Sequence, residues 1–225
     1  MLTQAIGDLL PSAMGVALSP VPIISVILML GTPRARRNGP AFAVGWVAGL
    51  VIVSVIVLLV TGDASDPDSS TTTGVNWVQV AVGVLFLAMA AKQWKSRPKK
   101  GEEAEIPKWM ATIDTFTPAK SLVLGAALSG ANPKNLALTA SAAASIAQAG
   151  LSGADDAIAI AVFVIIGSLT VAGPVIYYVI AADKAAGPLA SIKDFMTDHN
   201  AVIMMVVLLV LGAKVLGQGF AGVTD

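Results

Sequence analysis

Four residues that are poorly suited to lipid lie in a row inside an apolar segment, namely Asn132, Pro133, Lys134 and Asn135. Proline disrupts the helix before it but suits the first position of a new helix, and asparagine is a good N-cap. The row therefore predicts a helix that begins in mid-membrane, where its free N–H groups and positive dipole end favour an anion. Lys134 adds a full charge, although a lysine at the bilayer centre costs at least about 2.5–3.5 kcal/mol on insertion scales.

A second break with similar chemistry occurs earlier in the chain. The stretch from Gly15 reads GVALSPVP, and the stretch from Gly125 reads GAALSGANPKN. Both begin with G-x-A-L-S, and the first then breaks at Pro20 and Pro22. We interpret the two stretches as corresponding parts of an internal repeat. We predict that they bind an anionic substrate through Ser19, Pro20, Pro22, Ser129, Asn132, Pro133, Lys134 and Asn135.

Two simpler interpretations of the breaks stay open. Prolines are common in membrane helices as plain kinks, and Pro20 and Pro22 fit this role as well as they fit a site. Lys134 would reach the membrane surface by snorkelling if its helix were displaced by several residues.

The composition identifies an integral membrane protein. Hydrophobic residues make up 56% of the 225-residue chain and charged residues 12%, whereas about 25% of a soluble domain is charged. The chain has no cysteine and one histidine, His199, which excludes thiolate sites and histidine clusters. Phosphate-binding loops, serine hydrolase motifs and zinc protease motifs are absent from the sequence. We therefore expect no metal, no cofactor and no catalytic residue, and we do not expect an enzyme.

Six segments are apolar and long enough to form spanning helices of about 20 residues. They lie at 9–31, 41–62, 75–94, 119–148, 155–182 and 200–218. Because three spans per half invert the second half, we predict an all-α membrane fold of six transmembrane helices in two inverted three-helix repeats. Helices 1 and 4 are broken near the midplane. Residues 1–225 form one transmembrane domain, with repeats at 1–97 and 117–225 and a cytoplasmic linker with an interfacial helix at 98–116.

The basic residues predict the orientation. Twelve of the fourteen lysines and arginines fall in three regions that share one face of the membrane. The charged residues in the loops of the opposite face are all aspartates. Positive charges favour the cytoplasm, so we expect a multi-pass protein of the cytoplasmic membrane with both termini outside. Arg34, Arg36 and Arg37 follow the first span. We interpret them first as a topology signal and second as a contact for anionic head groups.

Amphipathic stretches and glycines predict local structure. Residues 106–116 and 189–196 carry apolar side chains at helical spacing, which favours two short helices on the cytoplasmic interface, with loop anchors as the alternative. Small residues let helices approach closely, and this is the interpretation of Gly45, Gly49, Gly167 and Gly173.

Together these motifs resemble those of a known family. The stretches ALSPVPIISVILMLGTPRARRNGPAFAVGWVAG, from Ala17, and NPKNLALT, from Asn132, are similar to the glycolipid- or sulfolipid-addressing (GAP) proteins of actinobacteria, within the LysE-type exporter superfamily. The resemblance covers nearly the whole chain. It implies two inverted three-helix repeats and the movement of envelope glycolipids or lipid-linked precursors across the cytoplasmic membrane. The motif residues that the resemblance implies are Ser19, Pro20, Pro22, Asn132, Pro133, Lys134 and Asn135.

Three functions are consistent with these features. The breaks and the resemblance favour a transporter or flippase that moves an anionic glycolipid or lipid-linked envelope precursor. An exporter of a small soluble solute, such as an amino acid, is the first alternative, and a non-transporting membrane scaffold for envelope synthesis is the second. We expect membrane lipids and the anionic lipid substrate as partners, and no nucleic acid. A homo-oligomer and envelope-biosynthesis proteins are further partners to consider.

Overall fold

The structure is a computed structural model that describes residues 1–62, 77–98, 108–151 and 153–220. Every regular element in these ranges is a helix, so the prediction of an all-helical chain is confirmed there. The elements in chain order are α1 (Leu2–Ala17), α2 (Pro20–Leu30), α3 (Ala35–Gly62), α4 (Trp77–Lys95), a 3-10 helix (Lys108–Thr115), α5 (Pro118–Gly130), α6 (Pro133–Gln148), α7 (Ala154–Asp198) and α8 (Asn200–Phe220).

Three helices are long and apolar enough to cross a membrane. They are α3 over Ala35–Val60, α7 over Ala154–Asp198 and α8 over Asn200–Gly217. Together, α1 and α2 make a fourth candidate, a span bent by 51° at the break between them. These helices are those of a multi-pass membrane protein. The finer prediction of six spans in two inverted repeats stays a prediction, because length and composition identify three or four spans among the described residues.

The chain forms two compact units. The first contains Met1–Ser65 and Glu105–Thr197, and therefore α1, α2, α3, α5 and α6 with nearly all of α7. The second contains Asp66–Ala104 and Asp198–Asp225, and therefore α4 and α8. Both predicted helix breaks lie in the first unit.

In the first unit, α3 and α5 cross with their backbones in contact. A Cβ atom added to Gly45 would overlap the carbonyl oxygen of Leu122, and one added to Gly125 would overlap the carbonyl oxygen of Phe42. Gly49 faces α5 in the same way. Two helix backbones can come this close only where the residue at the contact is a glycine, which has no side chain. The predicted close packing at Gly45 and Gly49 is confirmed.

The first unit also connects α7 to α1 and to α3. The hydroxyl of Thr170 donates to the carbonyl of Ala17 at 2.5 Å, and the indole N–H of Trp46 donates to the carbonyl of Gly167 at 3.3 Å. A Cβ atom on Gly167 would lie 3.3 Å from a side chain of α1. The packing prediction is therefore confirmed at Gly167. It is wrong at Gly173, since no atom of another described helix lies within 4 Å of a Cβ atom added there.

Both segments that were predicted to form short interfacial helices are helical, but neither is a separate α-helix. The linker has a 3-10 helix in which Met110 and Ile113 are buried and which packs on α2, so these side chains face protein rather than lipid. Ile106, the first residue of the predicted stretch, lies outside the described residues. The second segment continues α7, after a kink at Ala181 (φ −139°, ψ 53°).

In the second unit, α4 and α8 pack through glycine as well. A Cβ atom added to Gly83 would lie 2.6 Å from the side chain of Leu216, and one added to Gly212 would lie 2.8 Å from the side chain of Leu87. Small residues thus set the helix spacing in both units.

Candidate functional site

The first break separates α1 from α2 at Leu18 and Ser19. Ser19 has an extended backbone (φ −92°, ψ 105°), and Pro20 occupies the first turn of α2. Serine is a residue type that commonly caps a helix, and Ser19 stands at the N-cap position of α2, but its hydroxyl makes no capping hydrogen bond. A capping side chain accepts from the second or third N–H of the helix, and Pro22, at the third position, has none.

The second break separates α5 from α6 at Ala131 and Asn132. Asn132 is also extended (φ −68°, ψ 121°), and its side-chain oxygen accepts from the backbone N–H of Lys134 at 3.0 Å. Pro133 begins α6. The predicted cap and the predicted helix start are both confirmed here.

Side chains from the two breaks form one polar cluster, consisting of Ser19, Lys134 and Asn135. The Nζ atom of Lys134 donates to the hydroxyl of Ser19 at 2.8 Å. The same hydroxyl donates to Oδ1 of Asn135 at 2.9 Å. The Nδ2 atom of Asn135 donates to the carbonyl of Leu128 at 2.8 Å, in the last turn of α5, where carbonyls lack helical partners. The cluster therefore joins the amino ends of α2 and α6.

The cluster is almost fully enclosed. The exposed fraction is 8% for Lys134, 4% for Ser19 and 1% for Asn135. Buried polar groups of this kind are strongly held when each has a hydrogen-bond partner, and all three have one. The arrangement brings the side-chain nitrogen of Lys134 close to the amino ends of two helices.

The other residues predicted for the site are placed differently. Pro20 and Pro22 are buried at the start of α2, where they shape the break. The hydroxyl of Ser129 donates to the carbonyl of Ala126 in its own helix at 3.1 Å and lies against Gly49 of α3. Its described contacts therefore belong to the α3–α5 crossing and not to the polar cluster.

The three arginines line a separate cavity at the opposite end of α2. We call it the basic cavity, and its volume is about 620 Å³. The guanidinium of Arg34 donates to the carbonyl of Phe116 at 3.3 Å. The lining residues are Pro33, Arg34, Arg36, Arg37, Thr117, Pro118 and Tyr178.

The family of this chain follows from a sequence comparison. The family described as Sap, sulfolipid-1-addressing protein, matches residues 9–221, which contain both breaks, the polar cluster and the basic cavity. The chain belongs to the Sap family. The resemblance to sulfolipid-addressing proteins is thereby confirmed. No curated protein and no solved structure matches the chain.

One buried polar residue of this Sap-family chain, Thr139, is not predicted by the sequence motifs. Thr139 lies four residues after Asn135 in α6 and is fully buried. Its hydroxyl has no hydrogen-bond partner among the described residues. The helical spacing of four from Asn135 was the available signal, because residues four apart share a helix face.

Proposed function

We propose that this Sap-family protein is a membrane transporter that moves an anionic glycolipid or a lipid-linked envelope precursor across the cytoplasmic membrane. One observation carries the proposal, namely the hydrogen bond between Lys134 and Ser19, which joins two helix breaks inside the first unit. A lysine is expensive at membrane depth, and such residues mark substrate pathways in membrane proteins.

The polar cluster suits an anion. The amino ends of α2 and α6 carry partial positive charge, and Lys134 adds a full one. In the described arrangement the ammonium donates to the neutral hydroxyl of Ser19. A sulfate, phosphate or carboxylate oxygen would be a stronger acceptor, because charge-assisted hydrogen bonds are about twice as strong as neutral ones. We propose that the substrate head group replaces Ser19 as the acceptor.

The proposed architecture is two inverted repeats of three spans each. Three features support it. Each half contains two short helices separated by a break, α1–α2 and α5–α6, which we interpret as one broken span in each half. The second helix of each half contacts the broken span of the other half, since α3 packs on α5 and α7 contacts α1. The third helices, α4 and α8, pack on each other. We also propose that both termini lie on the outer side of the cytoplasmic membrane, as the basic residues indicate. We further propose that the protein belongs to the LysE-type superfamily.

Transport requires the polar cluster to open, since its side chains are nearly enclosed in this structure. We propose that α1 and α2 move away from α3, α5, α6 and α7. Breaks at 18–19 and 131–132 interrupt the helical hydrogen bonds and are suitable hinges. Opening would expose Lys134 to the head group, and the acyl chains would stay in the lipid beside the bundle.

The experiment is leaflet-resolved lipid profiling of a deletion strain that is complemented with variants. Lys134→Ala should leave the anionic lipid in the inner leaflet while the protein still inserts and folds. Lys120→Ala, at the exposed start of α5, is the matched control and should restore transport. Normal leaflet distribution with Lys134→Ala would refute the proposal.

The enclosure of the polar cluster favours a second candidate, an exporter of a small soluble solute. A small anion would fit among Ser19, Lys134 and Asn135 without a route for acyl chains. In that case the deletion strain would accumulate the solute in the cytoplasm and keep a normal lipid distribution. If Lys134→Ala and Asn135→Ala changed neither solute nor lipid, a scaffold for envelope synthesis would be the better description.

A further inference from the structure

We infer that the basic cavity is a second binding site, which holds a phosphate- or sulfate-type head group at the other end of α2 from the polar cluster. This inference rests on the proposed function for the identity of the lipid, but binding at the cavity does not depend on transport.

The charge of the cavity favours an oxyanion. Three arginines line it, and none of the described residues that line it is acidic. Arginine presents a planar fork of donors that binds phosphate and sulfate oxygens in pairs, which lysine cannot do. Tyr178 adds a phenol hydroxyl to the wall.

Two helix amino ends also meet at the cavity. Arg36 and Arg37 lie in the first turn of α3, and Pro118 begins α5. The side chain of Thr117 caps α5 by accepting from the N–H of Lys120 at 3.3 Å. Both helices direct the positive ends of their dipoles towards this region, and the attraction for an anion adds to that of the arginines.

The walls of the cavity are held in place. The amide of Asn38 donates to the carbonyl of Phe116 at 2.9 Å, and Arg34 donates to the same carbonyl. These bonds connect the start of α3 to the loop before α5. A volume of about 620 Å³ exceeds what one phosphate needs and lies in the usual range of about 300–1,000 Å³ for ligand sites. The size fits a head group with an attached sugar.

The positions of the two sites suggest an order of binding. The 11 residues of α2 and the 13 residues of α5 separate the basic cavity from the two breaks. At 1.5 Å per residue these helices are roughly 16 and 20 Å long, which is about half of a membrane thickness. In the proposed orientation, a substrate that enters from the cytoplasmic side reaches the cavity first, and its head group then moves the length of α2 to reach Lys134.

The arginines also satisfy the positive-inside rule, so a neutral replacement would confuse binding with topology. The triple variant Arg34→Lys, Arg36→Lys and Arg37→Lys avoids this because it keeps all three charges and removes the forks. The double variant Arg36→Lys and Arg37→Lys also keeps the bond between Arg34 and Phe116. Arg97→Lys is the matched control, because Arg97 lies outside the cavity and stacks on Trp94 at 3.6 Å.

Native mass spectrometry of the purified full chain would count the bound lipids, with phosphatidic acid as the anionic probe and phosphatidylcholine as the reference. We expect the wild type to prefer phosphatidic acid, and both Arg→Lys variants to bind it about tenfold more weakly. Arg97→Lys should bind as the wild type does. Displacement by millimolar inorganic phosphate would show that a free oxyanion suffices, whereas retention of the lipid would assign the site to lipid head groups.

Equal binding by the triple variant and the wild type, or no preference for phosphatidic acid, would overturn the inference. Lys134→Ala separates this inference from the proposed function. If that variant binds phosphatidic acid normally and also transports normally, the inferred binding site at the basic cavity is supported and the proposed role of Lys134 in transport is refuted. If the wild type does not bind phosphatidic acid, the cavity fails whatever the transport result.

Discussion

The Nζ atom of Lys134 lies 2.8 Å from the hydroxyl oxygen of Ser19, a residue 115 positions earlier in the chain. The two side chains come from the amino ends of two different helices, each of which begins at a proline. The same hydroxyl also donates to Asn135, so two hydrogen bonds connect the two breaks, and we expect a change at either break to affect the other.

Ser19→Ala should weaken this connection. It removes one acceptor of Lys134 and the hydroxyl that donates to Asn135, and a hydrogen bond lost from a buried polar group costs about 1–3 kcal/mol. Thermal unfolding in detergent measures the effect. Ser145→Ala is the matched control, because among the described residues that hydroxyl donates to the carbonyl of Ser141 in its own helix, at 3.0 Å, and to no other helix. Equal unfolding temperatures for Ser19→Ala and the control would contradict the cluster.

Asn132→Asp should separate stability from anion binding. Aspartate caps a helix as well as asparagine does, so α6 should stay stable. Its carboxylate would lie beside Lys134 and compete with an anionic substrate, which should slow transport by about tenfold or more, equivalent to about 1.4 kcal/mol. Asn132→Ser keeps a neutral cap and should transport normally. Unchanged transport with Asn132→Asp would mean that the substrate does not sense this charge.

Gly125→Ala should destabilise the crossing of α3 and α5. The new methyl group would overlap the carbonyl of Phe42, and forced overpacking costs about 1–3 kcal/mol. Gly173→Ala is the matched control, since its added Cβ atom has no atom of another helix within 4 Å in the part of the chain that the structure describes. Unfolding by increasing denaturing detergent in mixed micelles would compare the two variants. If both behaved as the wild type does, the close backbone approach would be wrong.

Val16→Cys with Gly167→Cys should form a disulfide between α1 and α7. A Cβ atom on Gly167 would lie 3.7 Å from the Cβ atom of Val16, within the usual spacing of about 3.5–4.5 Å. The chain has no other cysteine, so the product is unambiguous on a gel. Oxidation should stop transport and reduction should restore it, because the proposed opening moves α1. A cross-linked protein that transports at full rate would rule out that movement.

The positions of both breaks could be predicted from the sequence because proline acts locally. Pro20 and Pro133 each begin a helix, as their fixed φ and missing N–H dictate. The cap at Asn132 is local too and was predicted. The role of Ser19 could not be predicted in the same way. Pro22 removes one of the two N–H groups that it could cap, and its actual partners are more than 100 residues away.

Helix packing was predictable only in part. Gly45 and Gly173 look alike in the sequence. Gly45 touches the backbone of another helix, whereas no other described helix comes within 4 Å of a Cβ atom added to Gly173. The difference depends on which face of the helix meets a neighbour, and long apolar helices give little indication of that face. The basic cavity was not predicted for the same reason, since it unites residues 33–37 with residues 117, 118 and 178.

The glycine crossing of α3 and α5 also has a mechanical consequence. Helices that touch through their backbones have no flexible side chains between them to absorb a displacement, so the pair moves as one rigid plate. Any tilt of α6 must then be taken up at Ala131 and Asn132, which join it to that plate. The polar cluster lies directly beside this joint. A displacement of a few ångströms at the far end of α6 would therefore change the angle between α5 and α6 at the break, and with it the orientation of Lys134.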